Sequence, residues 1–185
     1  LEKKWLGPYP LRKLFSSVVK CIEYMVGLII DGIVTVTPDI EKRFPSSKTI
    51  LLRNYVHLSF IDKITPATVE KNNAVIIYNG TISRARGIKE MLQSVGRLNG
   101  KAQLWILGKW DDSELWNECN RMQEWQHARY FGLKRTAATY SYLKVANVGL
   151  HILYNLPHYK GGFATKAFEY MACSIPFIVT DNPRN

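Results

Sequence analysis

The sequence has no uninterrupted apolar run reaching the ~18 residues that would mark a membrane-spanning helix. Its nearest approach, residues 18–36, is broken by Lys20, Glu23 and Asp31. A secretory leader is missing too, because Leu1-Glu2-Lys3-Lys4-Trp5 is followed by neither a long apolar stretch nor a small-residue cleavage site. Cysteine is scarce: Cys21, Cys119 and Cys173 stand far apart, with no Cys-x-x-Cys pair and no clustered histidine. That spacing argues against a zinc site and a disulfide framework, and it fits a reducing cytosol. Each cysteine is expected to pack as a small hydrophobe. The fingerprint Gly-x-Gly-x-x-Gly does not occur, which counts against a nicotinamide enzyme. There is no internal repeat and no low-complexity tract.

Acidic residues are also few, at 15 against 25 lysines and arginines, so the formal net charge is +10. Such an excess predicts attraction to an anion: nucleic acid, an acidic membrane face, or phosphates. An acidic remainder of a longer protein would explain the imbalance equally well. The opening leucine, and an ending soon after a buried strand, lead us to expect an excised piece of such a protein.

What is present is a strongly patterned chain. Leu11, Leu14, Phe15, Val18, Val19, Ile22, Met25, Val26 and Ile29 recur at three- and four-residue steps, the stripe of an amphipathic helix. Residues 33–37 read as a short buried strand, 38–44 as a brief helix, and 49–52 as a second strand. Residues 57–73 carry Pro66 and no clear period, which reads as a linker. Strands and helices then alternate: strands at 74–78, 103–107, 129–131, 148–153 and 177–180, with helices at 88–98, about 112–126, 136–145 and 164–173. Such alternation with short connections predicts an α/β fold, a parallel sheet covered by helices on both faces. The first 56 residues are too few for a complete α/β domain, so they are expected to be the end of one domain, and 74–185 most of a second.

Ligands of open parallel sheets bind beyond the carboxyl ends of the strands. The loop after strand 74–78 reads Asn79-Gly-Thr-Ile-Ser-Arg-Ala-Arg-Gly87. Gly80 permits close backbone approach, while Arg84 and Arg86 offer forked donors for phosphate oxygens. A solvated turn with two surface arginines fits the same residues. The loop before helix 164–173 contains Gly161 and Gly162, whose amides can face a ligand, and the helix N-terminus adds partial positive charge. Thr165 and Lys166 sit in its first turn. Glu169, one turn deeper on the same face, can accept both hydroxyls of a ribose, with Phe168, Tyr170 and Met171 packing. A plain Lys166–Glu169 surface pair, worth a few tenths of a kcal/mol, is the alternative. Gly108-Lys109-Trp110 and Gly132-Leu133-Lys134 also end strands and can line a base. Asn79-Gly80-Thr81 matches a glycosylation sequon, but in a phosphate loop we read it as a decoy. His151 reads as a packed side chain rather than a base.

Together these segments resemble the retaining GT-B glycosyltransferases of family 4, the group-1 glycosyltransferases. Asp31-Gly-Ile-Val-Thr-Val-Thr-Pro38 and Leu52-Arg-Asn-Tyr-Val56 resemble the end of the family's N-terminal domain and the crossing between domains. Tyr78-Asn-Gly-Thr-Ile-Ser-Arg-Ala-Arg-Gly-Ile88 is similar to the glycine–arginine–lysine–glycine loop that opens the donor domain. Leu104-Trp-Ile-Leu-Gly108 and Tyr130-Phe-Gly132 resemble the next two strand ends. Thr165-Lys-Ala-Phe-Glu-Tyr-Met-Ala172 with Ile175-Pro-Phe-Ile-Val-Thr-Asp181 is the most specific piece. Several positions depart from the pattern. The first of the family's two glutamates falls on Gly161, the loop's usual arginine on Thr81, its usual lysine on Arg86, and the glycine before Pro176 on Ser174.

The resemblance implies a Rossmann-like donor domain that binds a nucleoside-diphosphate sugar and transfers the sugar to an acceptor hydroxyl with retention. It implies no metal and no cofactor beyond the donor substrate. Arg86 takes the catalytic role on the departing diphosphate; Gly80, Thr81, Arg84, Gly162, Thr165 and Lys166 surround the donor, and Glu169 holds the ribose. The acceptor is expected to be a glycan or lipid-linked sugar, and the chain by itself to bind nucleotide but transfer sugar poorly. The basic, aromatic N-terminus (Lys3, Lys4, Trp5, Arg12, Lys13) suits peripheral contact with the inner membrane face, or simply a helix with a solvated basic face. A GT-B epimerase or phosphorylase is the alternative enzyme reading. A nucleic-acid-binding module is the alternative of another class, against which the cations cluster at strand-end loops rather than along one face.

Overall fold

A computed structural model describes residues 9–154 and 165–181. The chain forms two compact units, one ending at Asn54 and the other starting at Tyr55.

The first unit holds α1 (Tyr9–Ile29), β1 (Ile33–Thr35), α2 (Pro38–Glu41) and β2 (Thr49–Leu51). Thr37 starts α2: its hydroxyl accepts the Ile40 amide at 3.4 Å, and Pro38 fills the first helical position, where no amide is needed. β1 and β2 pair in parallel, Ile33 with Thr49 and Thr35 with Leu51. The apolar stripe of α1 is not buried in this unit: Leu14, Phe15, Ile22, Met25 and Ile29 are all exposed.

The second unit begins with α3 (Leu58–Asp62) and β3 (Ala74–Asn79). Next come α4 (Ile88–Gly96), β4 (Ala102–Leu107), α5 (Ser113–Asn120) and β5 (Ala128–Gly132). It ends with α6 (Thr136–Leu143), β6 (Val148–His151), α7 (Thr165–Ala172) and β7 (Phe177–Val179). Five strands pair in parallel in the order β5-β4-β3-β6-β7. This is the expected α/β sheet, and the strands divide it into two faces by alternation. Val75, Ile77, Trp105 and Leu107 point to a core with Tyr140, Leu143, Tyr170 and Ile61. Tyr78, Leu104 and Ile106 point the other way, onto Ile88, Met91, Leu92 and Val95 of α4 and Leu115 and Cys119 of α5. Cys119 and Cys173 pack as expected, and burial pushes both thiols up to about 11; Cys21 is exposed.

One helix boundary shifts. Asp112 caps α5, its carboxylate accepting the Glu114 amide at 2.8 Å, but the helix ends at Asn120, short of the expected 126, and residues 123–127 form a separate 3-10 turn. That turn sets Glu124 against Gly96: a Cβ built on Gly96 would lie 2.5 Å from Glu124 Cγ. Residues 57–73, without a period of their own, are held along the second unit. Ile61 is buried, the Ala67 amide donates to Ser141 O, and Lys71 and Lys144 donate across the seam to Val145 O and Ile64 O.

The strand order positions the site. From β3 the chain winds outward through β4 to β5, then α6 returns it to β6 on the other side of β3. The loops leaving β3 and β6 therefore diverge, and open α/β sheets bind ligands in the crevice between such loops.

Candidate functional site

The crevice floor is backbone. Gly80 leaves β3 at φ +128° and donates its amide to Leu107 O at 2.8 Å. Gly108 leaves β4 at φ +149°, and a Cβ there would sit 1.8 Å from Gly80 O. The place of a side chain is thus taken at Gly80 by the Lys166 ammonium and at Gly108 by the Gly80 carbonyl, so the two strand ends pack backbone against backbone and line one cavity.

Two cations from distant parts of the chain meet above this floor. A Cβ built on Gly80 would lie 2.8 Å from Cε and Nζ of Lys166 and 3.4 Å from an Arg86 guanidinium nitrogen. The Lys166 ammonium also sits 5.6 Å from the centroid of the Tyr78 ring, a cation–π contact. Burial, and next the Arg86 charge, hold Lys166 down at about 8, with Glu169 acting in the opposite sense. Burial followed by Lys166 and Arg86 keeps His151 down at about 4, so its imidazole is neutral at physiological pH.

Glu169 follows one turn along α7. Asn79, only 7 % exposed, donates its Nδ2 to Glu169 Oε2 at 2.7 Å. The Tyr170 hydroxyl lies 2.9 Å from Asn79 Oδ1 and 2.8 Å from Leu150 O. Burial and then the Glu169 charge raise the Tyr140 phenol to about 12. Asn79, Gly80, Gly108, Tyr140 and Glu169 line one cavity of about 200 Å³, together with Leu133 and Lys134 from the loop after β5. A larger hollow of about 590 Å³ lies between the end of α4 and the 123–127 turn. It sits towards the amino ends of the strands, away from the switch point.

The structure thus brings Gly80, Arg86, Lys166 and Glu169 together. It does not bring Arg84 with them. Arg84 forks onto Glu118 of α5 at 2.8 and 2.5 Å, with Asp112 at 3.7 Å, and Lys89 pairs with the same carboxylate. Hydrogen bonds from Arg84 and then Lys89 lower Glu118 to about 2. Thr81 and Thr165 are exposed; the Thr81 carbonyl accepts the Tyr78 hydroxyl at 2.5 Å. Gly162, with the rest of the loop 158–164, lies outside the described residues, as do Lys3, Lys4 and Trp5. Phe168 stacks edge-on against Tyr55 and Tyr170 is fully buried, but Met171 is 52 % exposed and does not pack. The burial of Asn79 and its bond to Glu169 close the glycosylation sequon.

The sequence does not reveal Asn79 as the partner of Glu169, nor Tyr140 and the Tyr170 hydroxyl as its neighbours. The available signal was a lone amide ending an apolar strand directly before the glycine of the loop.

The family described as Glycosyl transferases group 1 matches residues 60–185, more than half of the chain. No curated protein sequence matches significantly. Among solved structures, HepE from Anabaena in complex with UDP-glucose superposes with a TM-score of 0.60 at 13% identity, over 80% of this chain and 44% of that one. Sucrose-phosphate synthase from Thermosynechococcus elongatus gives 0.60 at 18% identity, over 88% and 44%. WaaG, a glycosyltransferase involved in lipopolysaccharide biosynthesis, gives 0.56 at 10% identity, over 78% and 42%. The chain spans less than half the length of these structures, and at such identities the likeness is one of fold.

Proposed function

Because the chain belongs to the group 1 glycosyl transferases, we propose that it binds a nucleoside-diphosphate sugar in the crevice between β3 and β6. The bond from the anomeric carbon to the diphosphate breaks, the acceptor oxygen takes its place with retention, and the acceptor proton is released. The chemical difficulty is charge accumulating on the departing diphosphate, which preorganised cations and helix-end amides relieve without reorganising at the moment of reaction. Arg86 and Lys166 take the phosphates, α7 presents its N-terminal end to them, and Glu169 accepts the ribose hydroxyls. Gly108, Leu133 and Lys134 line the base side. No metal enters this scheme.

One observation carries the reading: two cations, 80 residues apart in sequence (166 − 86), converge on the same glycine at the topological switch point, with a carboxylate one helical turn beyond. We assign residues 74–185 to the donor-binding domain, 1–56 to the end of an acceptor-side domain and 57–73 to the segment joining them. On that assignment the chain binds nucleotide but transfers little sugar by itself. As WaaG is involved in lipopolysaccharide biosynthesis, we place the acceptor among glycans and lipid-linked sugars at the cytoplasmic membrane face, an anionic surface that suits a net charge of +10. Among the described residues no helix is long and apolar enough to cross that membrane.

Calorimetry with UDP, GDP and their sugars against the free nucleosides tests the site. Arg86→Ala and Lys166→Ala should each weaken diphosphates by about ten-fold or more, the loss of a charge-assisted hydrogen bond, and change nucleoside binding little. Equal losses for both ligand classes would remove these residues from the phosphates.

A further inference from the structure

We propose that Asn79 is a positioning residue for the nucleotide, holding the Glu169 carboxylate in the orientation that accepts the ribose hydroxyls. The inference rests on Glu169 being the ribose acceptor and adds what makes it one. A glutamate on a helix has three side-chain torsions to order, and an unheld carboxylate would lose that freedom on each binding event.

The holding groups form a chain that starts in the core. The Tyr170 ring is 0 % exposed and lies flat on Gly149 of β6, where a Cβ would come within 2.7 Å of three of its carbons. Its hydroxyl is therefore fixed, 2.8 Å from Leu150 O and 2.9 Å from Asn79 Oδ1. The carboxylate, which accepts and does not donate, defines the amide: Nδ2 donates to Glu169 Oε2 at 2.7 Å, and Oδ1 faces the hydroxyl. The flipped amide would set an acceptor against the carboxylate and lose the bond that holds it. Only a group with an acceptor at one end and a donor at the other joins the hydroxyl to the carboxylate, which neither an apolar side chain nor an ionised carboxylate can do. Asn79 and Glu169 line the same cavity. With Oε2 held, Oε1 and the remaining lone pair of Oε2 are what the carboxylate can offer a pair of adjacent hydroxyls.

The test is the preference of the full chain for ribonucleotides, read by titrating UDP and GDP against their 2′-deoxy forms. Misfolded protein lowers the number of sites for both ligands alike and leaves the ratio of affinities unchanged. Asn79→Ala should reduce the ribose preference about ten-fold or more, the loss of one hydrogen bond to a charged group. Asn79→Asp is nearly isosteric but sets two carboxylates together, which then share a proton. Its ribose preference should be lost at about pH 8 and return towards about pH 5, a profile that mere support of the fold would not produce. Tyr170→Phe should give an intermediate loss. If Glu169→Ala abolishes the preference while both Asn79 variants keep it at every pH, the positioning role is overturned and the ribose reading stands. If Glu169→Ala itself keeps the preference, the ribose reading fails and takes this inference with it.

Discussion

Lys166 is a cation held where a cation is costly, beneath neighbouring side chains and beside Arg86, and at about 8 it is poised to lose its proton just above physiological pH. An anionic ligand would restore that proton, so the affinity for a nucleoside-diphosphate sugar should be flat below about pH 7 and fall as pH rises through about 8. Calorimetry in buffers of different ionisation enthalpy should show proton uptake on binding near that pH. Lys166→Arg, permanently charged, should bind without the pH dependence. Ligand-free stability should run the opposite way. Between about 8 and the ordinary 10.5, the unfolded chain binds the proton that the folded chain has released, so stability rises with pH in that window. At this scale the sequence was partly legible. Lys166 and Glu169 share a helix face by spacing alone, and Gly80 follows a strand. Arg84 and Arg86 could not be told apart, because their difference is set by Glu118, a carboxylate on another element. Asn79 was invisible for the same reason: its partners lie on α7 and β6.

The elements themselves were easier to read, since strands buried on both faces are near-continuous apolar runs, as in Val75-Ile76-Ile77 and Leu104-Trp105-Ile106-Leu107. Tertiary packing adds what local pattern does not show. The 57–73 stretch bonds to α6 through Ala67 and Ile64, and beyond the end of α5 at Asn120 the 123–127 turn sets Glu124 against Gly96. The end of α7 shows how a departure from a family pattern reads in three dimensions. The Ile175 amide donates to Tyr170 O and the Ser174 amide to Met171 O, a Schellman closure, with Ser174 left-handed at φ +56°. Glycine is the usual residue at that position because a Cβ is strained there. Ser174→Gly should therefore raise stability by about 0.5–1 kcal/mol, since removing left-handed strain outweighs the entropy that glycine adds to the unfolded chain. Denaturant unfolding, with an unchanged slope and a higher midpoint, would show it.

At the scale of the molecule, the first unit leaves much apolar surface in water. Leu14 is 62 % exposed, Ile29 81 %, Val34 65 % and Ile50 67 %. Monomeric proteins rarely expose contiguous apolar patches beyond a few hundred Å². The chain should accordingly bind a hydrophobic dye and self-associate as its concentration rises, both visible by fluorescence and sedimentation. Leu14→Gln combined with Ile22→Gln should reduce both effects and leave nucleotide affinity unchanged; undiminished association would locate the adhesive surface elsewhere.

The hydrogen bond from Asn79 to Glu169 joins residues 90 apart in the chain. Long loops must close before such a bond forms, and folds dominated by distant pairings acquire them slowly. The nascent chain therefore carries the 79–87 loop and the strand-end glycines before the helix that bears Lys166 and Glu169. Whatever a ligand adds to this protein it adds to the finished state, as a brake on unfolding rather than a guide to folding.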